Sequence, residues 1–85
     1  MIQYKAGYKI ELDGVHAEVL DFPGAFSCGN DLDDARFMLA DALVLMALSE
    51  LEAGNALPLP NPLAVHPELT MDIVEPISLT TGCRL

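Results

Sequence analysis

The residues best suited to chemistry are four carboxylates, two histidines and a cysteine. Glu11, Asp13, Glu18 and Asp21 lie close together in the chain. Clustered carboxylates can hold Mg²⁺ for phosphoryl chemistry, and Glu11 and Asp13, two residues apart on a strand, share one face, with Glu18 across a hairpin from them. The plainer reading is the solvated outer face of an antiparallel sheet covered on one side, and it is favoured. His16 and His66 have no Cys, Asp or Glu at a spacing that makes a metal motif, and read as an outward hairpin residue and a linker residue. Cys28 would need a neighbouring base and a lowered pKa to act as a nucleophile. No local signature supplies either, so it reads as a partly buried strand cysteine. Cys28 and Cys83 are far apart and read as reduced thiols, for which the cytoplasm is the default compartment. No Gly-rich phosphate loop or GxSxG elbow is present. No catalytic, cofactor-binding or metal-binding residue is therefore assigned, and the chain is read as a non-enzyme.

The elements that would position these residues follow from periodicity. Tyr8-Lys9-Ile10-Glu11-Leu12-Asp13 alternates apolar and charged residues, the pattern of a strand with Tyr8, Ile10 and Leu12 facing a core. Asp13-Gly14 is a hairpin-turn dipeptide, and Val15 to Val19 alternates again with Val15, Ala17 and Val19 inward. Asp21-Phe22-Pro23-Gly24 is a turn, and residues 25–29 form a third short strand. Three sequential antiparallel strands need a cover on one face.

That cover is a helix from Leu32 to Ala53, uninterrupted by Gly or Pro, capped by Asp31 or Asn30, acidic at Asp33 and Asp34, and stopped at Gly54. In its first half Leu32, Ala35, Met38, Leu39 and Ala42 share one side, with Asp34 and Asp41 opposite. From Ala42 to Leu48 it is apolar all round. One sheet face needs only one stripe of a helix, so a later strand, a second copy or a partner must cover the rest. Pro58, Pro60, Pro62 and Pro67 mark an extended linker. Thr70 to Glu75 is strand-like and can join the sheet as a fourth strand.

The 85 residues suffice for one domain, with a core at about residues 4–76. Net charge is -9, from 13 acidic and 4 basic residues. Lys5, Lys9, Arg36 and Arg84 do not cluster, so the chain lacks the basic footprint of a nucleic-acid binder and would draw a basic partner instead. No run approaches the length of a membrane helix, and the N-terminus lacks the apolar core of a signal peptide.

The order of these pieces resembles the HicB family of bacterial antitoxins. The features that carry the likeness are Glu11-Leu12-Asp13-Gly14, the strand Val15 to Val19, the turn Asp21-Phe22-Pro23-Gly24, the strand ending at Gly29, Leu32-Asp33-Asp34-Ala35 opening the helix, and the Pro-rich 57–62. They span roughly residues 4–76. The resemblance implies an α+β fold, an antiparallel meander of three to four strands on one long helix in the order β-β-β-α-β, partly RNase H-like and without RNase H catalysis. It implies binding to a small basic RNA-cleaving toxin, HicA, and self-association as a dimer or tetramer, often through the last strand. Many family members continue into a DNA-binding domain, which residues 77–85 are too few to form. Partner contacts are expected at Asp21, Phe22, Pro23, Phe26 and Asp72, and an oligomer interface at Val44, Leu45, Leu48 and Ile73. Two rival readings are an orphan homo-oligomeric domain with another protein client, and a metal-dependent nuclease relic built on the four carboxylates.

Overall fold

The computed structural model describes residues 2–80. The fold is α+β: strands β1 (Ile2–Glu11), β2 (Gly14–Val19) and β3 (Phe26–Gly29), helix α1 (Leu32–Glu52) and strand β4 (Ile73–Leu79). The four strands form one antiparallel sheet in the order β3-β2-β1-β4. The meander is as the alternation predicts, and the fourth strand joins it at the free edge of β1. It lies later than expected, running through Pro76 to Leu79. Proline is tolerated because β4 is an edge strand. Lys5, which faces Pro76, sends its own N–H to Asp21 and accepts from Leu20 N–H on the β2 side, so no bond to the missing proline N–H is required.

β1 begins six residues before Tyr8, at Ile2. The hairpin closes at Glu11 opposite Gly14, so Leu12 and Asp13 form its tip. This corrects the reading of Ile10 and Leu12 as core residues. Leu12 stands free in the turn, and Ile10 is 53% exposed. The physical reason is the length of β4, which starts opposite Tyr8 and leaves β1 without a strand on that side beyond it, flanked by β2 alone.

Asp31 caps α1, accepting from the Asp34 N–H at 2.9 Å, while the Asp34 carboxylate reaches back to the Asn30 N–H at 2.8 Å. Two otherwise orphaned donors are satisfied reciprocally. Gly54, at φ +83°, ends the helix. Ala35, Leu39, Leu43 and Ala47, each four residues apart, are buried. They meet the sheet face made by Tyr4, Ala6, Tyr8, Val15, Ala17 and Val19, with Phe22, Ala25 and Leu79 completing the core.

Candidate functional site

The opposite sheet face is not simply solvated. The Pro-rich segment, expected as a linker, is laid over it as a strap. It starts on the helix side, where the Tyr4 hydroxyl donates to the Pro58 carbonyl at 2.8 Å, and then crosses to the opposite face. The Asn61 N–H donates to Asp21 Oδ2 at 2.8 Å. Lys5 Nζ donates to the carbonyls of Pro62 and Ala64 at 2.9 and 2.8 Å. Four prolines remove backbone donors and hold the strap extended, so its remaining polar groups find partners on β1 and in the turn after β2. The strap ends where Asp72 accepts from the Ile10 N–H and its own N–H donates to the Tyr8 carbonyl.

The strap also gathers the two histidines. His16 Nε2 lies 3.1 Å from Glu18 Oε1, and His66 Nε2 lies 3.6 Å from the same oxygen. Because half a chain separates these residues, no local spacing could reveal the cluster. Its chemistry is structural. His66 Nδ1 accepts from the backbone N–H groups of Glu68 and Leu69, each at 2.9 Å. That nitrogen therefore has no proton, and in the neutral ring the proton sits on Nε2, facing Glu18. Among the described residues no group of three His, Cys, Asp or Glu is placed to hold a metal ion.

The four carboxylates likewise do not assemble, which corrects the nuclease-relic reading. Glu18 pairs with Gly7, not with Glu11, which places it about 13 Å along the strand. Asp13 is at the hairpin tip. Asp21 is buried, with both oxygens occupied by the N–H groups of Lys5 and Asn61. Cys28 is exposed rather than partly buried, and His16 across the strand pair directs Nε2 at Glu18. Cys83 and Arg84 lie outside the described residues.

Of the residues expected at a partner contact, Pro23, Phe26 and Asp72 are exposed, whereas Asp21 and Phe22 are consumed by the fold. Phe22 packs edge-on against Tyr4, ring centroids 5.3 Å apart. Of the expected interface residues, Leu45 and Leu48 are exposed and Val44 and Ile73 half-buried. The far side of α1 presents Phe37, Met38, Leu45, Leu48 and Leu51, all exposed among the described residues. The strap presents a second apolar row at Leu59, Leu63 and Val65.

One ion pair links the two layers. The Arg36 guanidinium grips Glu75 with two bonds of 2.9 Å and lies 6.0 Å from the centre of the Tyr8 ring. Burial, followed by the Glu75 carboxylate, pushes the Tyr8 phenol up to about 12 from 10.0, with Arg36 opposing. The folded protein thus keeps a proton that the unfolded chain has lost, so stability falls as pH rises from 10 towards about 12. The expected loss is on the order of 2 kcal/mol across that window. Tyr8→Phe should flatten the decline in thermal melts taken from pH 9 upward, leaving a smaller contribution from Tyr4, which burial and Asp21 shift in the same direction. Equal pH dependence in the variant and the parent protein would refute this assignment.

Neither a family model nor a curated protein sequence matches the chain. Solved structures do. The N-terminal domain of the Burkholderia pseudomallei antitoxin HicB matches with a TM-score of 0.71 at 20% identity, covering 93% of this chain and 99% of that one. A HicA3 and HicB3 toxin–antitoxin complex matches with a TM-score of 0.62 at 21% identity, covering 71% of each chain. The chain has the fold of a HicB antitoxin N-terminal domain. No helix among the described residues is long and apolar enough to cross a membrane.

Proposed function

We propose that this chain is the antitoxin half of a toxin–antitoxin pair, a cytoplasmic binding protein that neutralises a small basic RNA-cleaving toxin of the HicA kind by covering its RNA-binding surface. The observation that carries the reading is the likeness of nearly the whole chain to the HicB domain. Two properties of the molecule support it. The net charge of -9 steers a basic protein inward and disfavours RNA as a direct ligand. Asp21 and His66 are occupied in holding the strap, while large apolar side chains on the helix are left to solvent, as suits a protein that works by contact. Self-association as a dimer or tetramer is part of the reading.

The test is neutralisation. A HicA-type toxin encoded beside this chain is expressed alone and then together with it. Co-expression should restore growth, and the purified proteins should elute as one complex in size-exclusion chromatography with light scattering. Growth arrest that persists despite abundant folded chain, with separate elution at micromolar concentration, would count decisively against the antitoxin role.

A further inference from the structure

Among the described residues the outward face of α1 is left uncovered and apolar. Phe37, Leu45, Leu48 and Leu51 are 72%, 60%, 47% and 50% exposed. At 3.6 residues per turn, Phe37, Asp41, Leu45, Leu48 and Glu52 fall on the side opposite the buried stripe of Ala35, Leu39, Leu43 and Ala47. Every charge on this side is negative, and the last turn has no basic residue. The one cation of the helix, Arg36, is held against the sheet by Glu75.

This charge pattern decides between occupants. A second copy packed on this face would set carboxylates against carboxylates in either orientation, with no lysine or arginine to interleave. A cationic protein meets the same face with opposite charge around an apolar ridge, the arrangement of a desolvated contact centre with a charged rim. The strap is the competing surface, but charge there is mixed in sign, with Lys5 and Lys9 beside Glu18 and Asp72, whereas every charge around the α1 ridge is negative. We propose that the outward face of α1 is the docking surface for the small basic partner protein, and that a second copy of the chain does not take it. This inference rests on the antitoxin reading above, and it reassigns Leu45 and Leu48 from a self-association interface to the partner.

The experiment compares the parent chain with Leu45→Gln/Leu48→Gln, with Leu63→Gln/Val65→Gln on the strap, and with Asp41→Asn. Glutamine is a good helix former, so the helix double variant should stay folded, as a thermal melt checks. The probes are HicA3 and the small basic protein encoded beside this chain. The helix double variant should bind at least tenfold more weakly while keeping the oligomeric state of the parent chain. The strap variant should bind as the parent does, and Asp41→Asn should slow association and reduce its salt dependence. If the parent chain binds neither probe, the antitoxin reading fails and this inference with it. If the parent binds and the helix double variant binds within twofold of it, only the surface assignment falls. A change in the variant's own oligomeric state would overturn the assignment by showing that a second copy occupies the face.

Discussion

Gly29→Ala should cost about 3 kcal/mol or more, the upper range for inserting atoms where the surroundings cannot yield. A Cβ at this position would come within 2.4 Å of Ala35 N, 2.7 Å of Ala35 Cα and 2.8 Å of Asp34 C. All three are backbone atoms in the first turn of α1, so no side chain can rotate away. Relief requires moving the helix off β3, which would open the contacts of Ala35 and Leu39, both fully buried. For a domain of this size the loss corresponds to a melting temperature about 15 °C lower. Gly7→Ala is the natural comparison. Its Cβ would also be crowded, at 2.7 Å, but by the flexible Met71 side chain, and the cost should be well below that of Gly29→Ala. Gly54→Ala meets no neighbour within 4 Å and pays only for its left-handed φ, about 1 kcal/mol. A Gly29→Ala melting temperature within a few degrees of the parent would mean that the helix does not approach β3 this closely.

That glycine shows how sequence and structure divide the explanation. A third strand ending in glycine is visible as a pattern, and so are the Asp31 cap, the helix span and the inward Val15, Ala17 and Val19, because each depends on neighbours a few residues away. Why Gly29 has no side chain is not visible, since the clashing atoms belong to the next element. Ile10 and Leu12 were misplaced for the same reason. Alternation assigns a face correctly, but burial depends on how far the flanking strand reaches, and β4 is set by residues more than sixty positions later. The strap was the largest gap. Prolines rule out helix and central strand, yet do not reveal that the extended chain lies on the sheet and draws His66 to Glu18. The two-sided apolarity of α1, by contrast, was fully legible, because a helix that is apolar all round over seven residues exposes some of them on any single sheet.

Asp21 is the position where the two readings predict different results. In the turn motif it looks like a surface carboxylate available to a basic partner. In the fold it is 8% exposed, and its two oxygens accept the Lys5 N–H at 2.9 Å and the Asn61 N–H at 2.8 Å. One bond fixes β1 beside the turn after β2, and the other seats the strap. Asp21→Ala removes both charge-assisted bonds and leaves their donors facing a shortened side chain, at a cost of about 3 kcal/mol. Asp21→Asn keeps one acceptor oxygen and should lose roughly half as much. The strap should respond locally as well as globally, with amide exchange at Asn61 to Ala64 rising in Asp21→Asn beyond what the change in global stability explains. A partner-contact role predicts the reverse: an unchanged melting temperature and unchanged exchange, with weaker binding. Observing that pattern for Asp21→Asn would show that the carboxylate is free for a partner and that the strap is held without it.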